Sequence, residues 1–460
     1  MKIYTDALVV TMDGEHRVIQ RGAVCIDGKY ILGVDSTEAL VSRWPDAETI
    51  DSWNMIILPG FINAHTHLFQ VLFRGIGSDF PLSEWLSRII WPLSSRLGKE
   101  ECYLGALLAS VEMLQCGVTT FVDSHYITID KYCYDGIARA IEEAGIRGVI
   151  GRSTVDTSLA PPEFREEVEE AVDEATRVIE TYHNTADGRI TVRVEPLNEA
   201  LASERMVLAM RDLSKRCGVG FSMHTAETHQ RVEDCRRMYG LSTIEWLWDM
   251  GILGPDVLLA HCVWLTRKEI ELLRSTQTKV AHNPVANQYL ADGVAPVKEM
   301  LDRGVTVAIC TDGASSNNDQ NILQALKSAI LLQRVSVLDA SALSASRALK
   351  MITIDAAKAI GMESSIGSIE PGKLADLIFL DLNVPQFVPA VSAISNIAFT
   401  SPANSVARVV VNGRTVFENG KHFHLDEKQI VKDCNDRVME IIGKVKLKKA
   451  YIFDSFWNYC

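Results

Sequence analysis

The segment Asn63-Ala64-His65-Thr66-His67 ends a run of apolar and β-branched residues that begins near Met55. Side chains at positions i and i+2 of a strand project from the same face, so His65 and His67 can reach one metal ion. Imidazole nitrogens are preferred ligands of zinc and similar ions. The segment therefore predicts a β-strand with two metal ligands at its carboxyl end.

Further along the chain, short β-branched runs alternate with amphipathic stretches of helical length. Such alternation is typical of βα units and a parallel sheet. Eight strands are predicted, at 55–63, 118–123, 148–152, 190–196, 218–224, 257–261, 279–282 and 305–311. Eight strands separated by helices favour an α/β fold of the closed (β/α)8 type, a TIM barrel, over an open sheet.

The two ends of the chain have a different pattern, that of β-hairpins. Strand-like residues 23–26 run into the turn Asp27-Gly28-Lys29, and residues 406–411 run into Asn412-Gly413-Arg414. Such turns join antiparallel strands. We therefore predict a small β-sandwich domain built from both chain ends. The predicted domains are 1–57 and 369–425 for the small domain, 58–368 for the barrel, and 426–460 for a C-terminal helical tail.

Ionisable residues gather at the carboxyl ends of the predicted barrel strands, where the active sites of such barrels lie. The fifth strand leads into His224 and Glu227, the sixth ends at His261, and the eighth leads into Asp312. With His65 and His67, these residues predict a metal centre. A catalytic ion keeps one position for water and lowers the pKa of that water to about 7.

Other polar residues at strand ends have simpler explanations. His282 is explained equally well as a site residue or as a buried core residue. Asp123 and His125 are interpreted as structural residues or as residues that support the metal ligands.

Composition and charge limit the possible partners. The net charge of −13 disfavours nucleic acid and anionic membrane surfaces. The ten cysteines are scattered without a C-x-x-C pair, which predicts free thiols in a reducing cytoplasm. No apolar run is long enough to span a bilayer, and the N-terminal residues lack the apolar core of a signal peptide. We expect a small-molecule substrate and a homo-oligomer.

Two motifs connect the chain with a known family. Pro59-Gly60-Phe61-Ile62-Asn63-Ala64-His65-Thr66-His67 resembles the opening motif of the amidohydrolase superfamily, and the segment 367–377 resembles its return to the small β domain. Within the superfamily, His224-Thr225-Ala226-Glu227, His261 and the run 311–318 are similar to the mononuclear branch. That branch includes methylthioadenosine/S-adenosylhomocysteine deaminases, triazine hydrolases and guanine-type deaminases.

The resemblance implies a metal-dependent aminohydrolase that uses metal-bound hydroxide on a ring carbon bearing an amino group. Glu227 shuttles protons, His261 orients or polarises the attacked centre, and Asp312 accepts the water proton. The fourth strand carries no Lys of the kind that bridges two ions in the binuclear branch, so one divalent ion is implied. Zinc is the leading candidate, with iron(II) or manganese(II) as alternatives. The implied ligands are His65, His67, His224 and Asp312.

Substrate contacts are implied only by the same resemblance. Glu84 is similar to a ribose-contacting Glu, and Arg152 to a substrate-contacting Arg. The Gly-Pro-His segment of methylthioadenosine deaminases is replaced by Glu195-Pro196-Leu197, followed by Asn198, which is a candidate to supply the missing contact.

The leading substrate is an adenosine derivative such as methylthioadenosine or S-adenosylhomocysteine. The alternatives are a triazine hydrolase that removes chloride or an alkylamine, and a guanine- or pterin-type deaminase. Glu227 favours an amine leaving group, which needs a proton. In a metal-binding barrel without catalytic activity, some of the residues that activate water would be replaced. In this sequence all of them are present.

Overall fold

Eight parallel strands form a barrel in the computed structural model, which describes residues 1–127, 129–400, 403–445, 447 and 451. With strands numbered in chain order, the barrel contains β6 (Phe61–Thr66), β7 (Val118–His125), β8 (Arg147–Thr154), β9 (Ile190–Pro196), β10 (Gly220–Thr225), β11 (Val257–His261), β12 (Lys279–His282) and β13 (Val307–Ile309). Each strand pairs with the next along the chain.

The seam between the first and last barrel strands is closed at both ends. At the carboxyl end, the Asp312 N–H donates to the His65 carbonyl at 3.2 Å. At the other end, Ile62 and Ile309 donate to the carbonyls of Ile352 and Met351, so this short segment fills the gap. The predicted (β/α)8 barrel is confirmed.

The two chain ends meet in one mixed sheet of nine strands. Its members are β1 (Lys2–Val10), β2 (Val18–Asp27), β3 (Tyr30–Ser36), β4 (Glu48–Asp51), β5 (Met55–Pro59), β14 (Leu377–Asp381), β15 (Val406–Val411), β16 (Arg414–Glu418) and β17 (Lys421–His422). Tyr4 in β1 and Phe379 in β14 have β5 between them, yet their ring centroids are 4.7 Å apart. The sheet therefore curls over its own apolar core, and the small β domain from both ends is confirmed.

The single strand predicted at 55–63 is wrong, because Gly60 divides it. β5 belongs to the small sheet, where it pairs with β14, whereas β6 belongs to the barrel. A Cβ at Gly60 would lie 2.1 Å from the Thr119 hydroxyl oxygen, so only glycine permits this close approach. The chain thus passes from one domain to the other within a single residue.

Helices follow most barrel strands and begin and end at recognisable caps. The helix Glu204–Cys217 begins at Ser203, whose side chain accepts from the Met206 N–H, and ends at the left-handed Gly218. The α-helices are Thr37–Arg43, Leu82–Trp85, Trp91–Ser94, Lys99–Gln115, Cys133–Ala144, Val168–Tyr182, Thr185–Gly188, Glu204–Cys217, His229–Tyr239, Thr243–Asp249, Arg267–Ser275, Pro284–Tyr289, Val297–Asp302, Ile322–Val337, Ala345–Lys350, Ile354–Ile360, Ala393–Thr400 and Glu427–Lys444.

Short helical turns of other types complete the described chain. The 3-10 turns are Leu68–Phe73, Pro162–Phe164, Pro385–Phe387 and Ala403–Ser405, and Leu86–Ile90 is a π-helical turn. The helix Glu427–Lys444 lies within the predicted tail, whose remaining residues fall mostly outside the described part of the chain. Among the described helices, none combines the length and the apolar character needed to cross a membrane.

Arg147 joins the barrel to the small domain through a buried ion pair. It lies at the start of β8, and its Nε donates to Asp376 at 2.9 Å. Both side chains are at most 3% exposed. Asp376 also accepts from the Asn412 backbone N–H at 2.8 Å, so one carboxylate connects the barrel with the turn after β15.

We predict that Arg147→Met lowers the free energy of unfolding by about 3–5 kcal/mol, because it leaves the Asp376 carboxylate buried without its cation. The matched control is Arg139→Met, which removes a half-exposed pair with Glu143 and costs less than about 1 kcal/mol. Urea unfolding of both variants measures the difference. Equal losses would contradict the assignment of Arg147 as the link between the domains.

Candidate metal centre

Four predicted metal ligands converge at the carboxyl end of the barrel. Ligand atoms of His65, His67 and His224 all lie within 4.8 Å of one another, and the Nε2 atoms of His67 and His224 are 3.3 Å apart. Asp312 Oδ1 lies 3.1 Å from His67 Nε2 and 3.6 Å from His65 Nε2. All four residues are buried. The carboxyl ends of β6, β10 and β13 thus place three imidazoles and one carboxylate around a common point.

Hydrogen bonds to backbone carbonyls aim the imidazoles at this point. His67 Nδ1 donates to the Ser124 carbonyl at 2.6 Å, and His224 Nδ1 to the Leu197 carbonyl at 3.2 Å. Their Nε2 lone pairs therefore face each other, and His65 Nε2 is buried with no hydrogen-bond partner among the described residues. A divalent ion satisfies this donor set. The three histidines can hold a metal ion.

The charge of Asp312 controls the electrostatics of the cluster. Burial alone would raise the pKa of Asp312, but the imidazoles of His65 and His67, whose Nε2 atoms lie 3.6 and 3.1 Å from Oδ1, hold it well below its usual range. Burial lowers the pKa of His65 to about 4, so this imidazole is neutral at pH 7. A neutral imidazole and an ionised carboxylate are the states that bind metal.

Two of the site residues adopt strained backbone conformations. His261 has φ of 71° and Asp312 has φ of 63°, in the left-handed region that non-glycine residues rarely enter. Such residues cost about 1–3 kcal/mol each and cluster at functional sites. The turn at Asp312 brings its carboxylate over the barrel mouth.

Glu195 supports the cluster from within the barrel, and the sequence analysis missed it. Its Oε1 accepts from the Ser124 hydroxyl at 2.8 Å and lies 3.5 Å from His224 Nδ1. A Cβ at Gly151 would lie 2.7 Å from Glu195 Oε2, so glycine makes room for the carboxylate. Burial opposes ionisation of Glu195, yet His224 and Ser124 lower its pKa. Its position near the carboxyl end of β9 was the available signal.

Glu227 and His261 form a pair beside the metal ligands. His261 Nε2 lies 3.6 Å from Glu227 Oε1. The Asn287 amide donates to His261 Nδ1 at 2.9 Å, which leaves the ring proton on Nε2, facing Glu227. Burial lowers the pKa of His261 well below its usual value, so the ring is neutral.

The acid form of Glu227 is favoured by its surroundings. Burial raises the pKa of Glu227 well above its usual value, and the charges of Asp292 and Asp312 raise it further. A carboxyl group that holds its proton more tightly than usual therefore lies beside an imidazole N–H. Both can donate a proton or a hydrogen bond to a group placed over the metal centre.

The pair, together with His67, His224 and Asp312, lines a narrow cavity that opens to solvent. A continuous helical segment with a π-helical turn, from Leu82 to Ser94, forms one wall. Such π turns occur often at functional sites. Most of the remaining lining is apolar or aromatic, which suits a flat heterocycle. The apolar lining residues are Leu82, Trp85, Leu86, Trp91, Leu197, Leu201 and Leu290.

The structure separates the three residues expected to contact substrate. Asn198 lines the cavity, and its Oδ1 accepts from the N–H groups of Ala200 and Leu201, which leaves its amide nitrogen available. Glu84 lies outside the cavity lining: it is 45% exposed and pairs with Arg88 at 2.9 Å, because the helix turns Trp85 inward instead.

Arg152 also lies outside the cavity lining. It is buried, and its guanidinium binds both carboxylate oxygens of Glu166, with Nη1 to Oε2 at 2.7 Å. Its Nη1 also donates to the Ser153 carbonyl. The charge of Arg152 is thus paired with Glu166 within the chain, and its role as a substrate contact stays a prediction.

The other polar residues at strand ends stay outside the cluster. His282 is fully buried, and burial lowers its pKa to about 3, as for a neutral core residue. Asp123 and His125 are buried at the end of β7, behind His67.

A (β/α)8 barrel with three imidazoles, a carboxylate and an acid–imidazole pair at its carboxyl face has the layout of the metal-dependent hydrolases. The sequence places it among them. The model of the amidohydrolase family matches residues 56–416, and the chain belongs to that family.

Relatives of similar length carry deaminase names. The 5'-deoxyadenosine deaminase of Methanobrevibacter smithii is 38% identical over 92% of this chain and 94% of its own. The 5-methylthioadenosine/S-adenosylhomocysteine deaminase of Syntrophomonas wolfei is 36% identical over 96% of this chain and 100% of its own.

Solved structures of two other enzymes share the fold. An adenosine deaminase from Xanthomonas campestris with bound zinc has a TM-score of 0.89 and 27% identity, covering 95% of this chain and 98% of its own. An atrazine chlorohydrolase from Arthrobacter aurescens, complexed with zinc, has a TM-score of 0.89 and 26% identity, covering 95% and 100%.

We predict that Glu195→Gln lowers the affinity for zinc by about 10–100-fold, as the loss of a partner that supports a ligand does. The substitution keeps the shape of the side chain but removes the charge beside His224. Competition with a zinc-binding dye measures the affinity. The exposed Glu163→Gln is the control, and equal affinities in the two variants would remove Glu195 from the metal centre.

Proposed function

We propose that this protein hydrolytically removes the amino group from the ring of an adenine nucleoside with a modified 5' carbon, such as 5'-deoxyadenosine or methylthioadenosine. The observation that carries the proposal is the Glu227–His261 pair at 3.6 Å, beside the four predicted metal ligands. An amine leaving group needs a proton, and this pair can supply one. The names of the curated relatives support the adenine nucleoside.

The proposed metal centre uses His65, His67, His224 and Asp312, with zinc as the ion and iron(II) or manganese(II) as alternatives. Zinc is supported by the neighbours crystallised with it and by the imidazole and carboxylate donors. When bound, the ion makes hydroxide available near neutral pH.

Each site side chain has a proposed role in the reaction. Asp312 accepts the proton of the attacking water. Glu227, in its acid form, protonates a ring nitrogen, and the neutral His261 donates a hydrogen bond from Nε2 to the attacked centre. Asp312 passes the water proton to the amino group, which leaves as ammonia. The hydroxyl group left on the ring carbon gives its proton to Glu227, which restores the acid form and leaves a carbonyl on the ring. The Asn198 amide is proposed to bind a polar group of the substrate.

We also propose where the enzyme works and how it assembles. Nine cysteines are described, all are unpaired, and eight of these are buried, which supports a reducing cytoplasm. Leu331, Val335 and Leu338 are exposed at the end of the helix Ile322–Val337, and this apolar patch supports self-association into a homo-oligomer.

We predict that the zinc-loaded protein releases ammonia from 5'-deoxyadenosine and methylthioadenosine, and that Glu227→Gln lowers kcat by about 10²–10⁴-fold. The variant should retain its zinc, because Glu227 is not among the proposed ligands. A coupled ammonia assay over a panel that also contains S-adenosylhomocysteine, adenosine, guanine, a pterin and aminotriazines measures this. Turnover of only a triazine, pterin or guanine would overturn the nucleoside assignment but leave the hydrolase standing.

We predict that Glu84→Gln changes kcat/KM for the same nucleosides by less than about two-fold, because an exposed ion pair contributes little. Asn198→Ala should raise KM, since it removes the available amide nitrogen in the cavity. Steady-state kinetics of both variants measures the contrast. A large loss of kcat/KM in Glu84→Gln, with the kinetics of Asn198→Ala unchanged, would show that Glu84 contacts the substrate and that Asn198 does not.

We predict that Asp292→Asn moves the alkaline limb of the pH–rate profile to lower pH. Burial raises the pKa of Asp292 to about 7, so it is ionised on the alkaline side and raises the pKa of Glu227. Removing that charge lowers the pKa of Glu227, which then loses its proton earlier as pH rises. Asp234→Asn, in the helix His229–Tyr239 and outside the cavity lining, is the control. An unchanged alkaline limb in Asp292→Asn would contradict the acid role of Glu227.

A further inference from the structure

A second group of metal-binding side chains lies behind the proposed metal centre. Cys102 comes from the helix Lys99–Gln115, His125 from the end of β7, and Cys133 from the first turn of the helix Cys133–Ala144. One ligand atom from each lies within 4.8 Å of the others. The three residues are at most 1% exposed. Three separate elements thus direct two thiols and an imidazole at one buried point.

The separations are those expected around a thiophilic ion. Cys102 Sγ lies 3.7 Å from His125 Nε2. A sulfur at about 2.3 Å and a nitrogen at about 2.0 Å from a tetrahedral ion are about 3.5 Å apart. The distance between Cys102 Sγ and His125 Nε2 is therefore already close to the value expected with a bound ion. Only Cys133 Sγ needs to shift, by about 1 Å or less.

Asp123 gives an independent sign that His125 is built as a ligand. Asp123 Oδ2 and His125 Nδ1 are 3.8 Å apart and both are buried, and Asp123 Oδ2 has no hydrogen-bond partner within the described chain. Histidines that bind metal through one ring nitrogen usually direct the other toward a carboxylate. Asp123 Oδ1 is fixed by the Leu68 N–H at 2.9 Å, so the carboxylate is held in place for this contact.

We propose that Cys102, His125 and Cys133 form a second, structural site for one thiophilic d10 cation. Zinc(II) and copper(I) share this ligand chemistry. Two thiolates neutralise zinc(II) in a buried site, whereas three donors suit copper(I). Binding releases the thiol protons, which burial otherwise holds in place by raising the pKa of Cys102. The site does not depend on which substrate the enzyme deaminates.

The bound ion would connect β7 to two helices on the outside of the barrel. Ser124 lies between Asp123 and His125, and its carbonyl accepts the His67 Nδ1 proton. Fixing His125 therefore fixes the carbonyl that orients a proposed ligand of the catalytic ion. The second site acts as a brace for the first.

The test counts metal ions in the full-length protein, expressed in metal-supplemented medium because the cluster is buried. Samples are dialysed against zinc(II), cadmium(II) or, without oxygen, copper(I) with bicinchoninate as competitor. Wild type is expected to hold one ion more per chain than Cys102→Ser and Cys133→Ser. The cadmium sample should show thiolate charge-transfer absorption that both variants lose. The copper and zinc arms show which of the two ions the site prefers.

Two further variants separate ligation from folding. Cys235→Ser alters a buried cysteine outside the cluster and should keep the extra ion. Asp123→Asn keeps all three donors and should weaken the second ion by about 10–100-fold. The proposal is overturned if wild type holds no more ions than Cys102→Ser and Cys133→Ser with every metal, or if the charge-transfer band survives in both variants.

Discussion

The structure depends on one electrostatic arrangement. Imidazole nitrogens and an ionised carboxylate face a common point inside a buried space. His67 Nε2 lies 3.3 Å from His224 Nε2 and 3.1 Å from Asp312 Oδ1. Uncompensated, such a cluster would be costly to bury. The strand ends of the barrel hold it together, and a cation makes it favourable. Catalytic chemistry and fold stability are therefore linked at the same few atoms.

Several unrelated features of the chain serve this arrangement. The Ser124 carbonyl and the Glu195 carboxylate orient the imidazoles from behind, and Gly151 has no side chain to displace Glu195. The backbone at His261 and Asp312 is in the strained left-handed region, which places the imidazole and the carboxylate at the site. The backbone is therefore strained at residues that belong to the site.

Much of the fold could be predicted because the signals are local. The predicted strands 190–196, 257–261 and 279–282 coincide with β9, β11 and β12, which are short runs separated by stretches of helical length. Alternation along a strand also made His65 and His67 a pair. The break at Gly60 was missed because it depends on contact with Thr119, a residue far away in the sequence.

The surroundings of the site were harder to predict than its centre. The helix of Glu84 reads as amphipathic, but packing decides that Trp85 faces the cavity and Glu84 faces solvent. Arg152 finds its partner Glu166 in the loop after its strand. The partner of His261 is Asn287, from another βα unit. Contacts of this kind come from tertiary packing, which no single segment reveals.

The most direct test of the account is a crystal structure with zinc and a hydrolytically inert adenine nucleoside, with anomalous data at the zinc edge. The account predicts one ion at the barrel mouth, bound by His65, His67, His224 and Asp312, with the purine ring edge between the ion, Glu227 and His261. An ion peak away from these four side chains, or a purine bound with its amino edge facing away from Glu227, would contradict it.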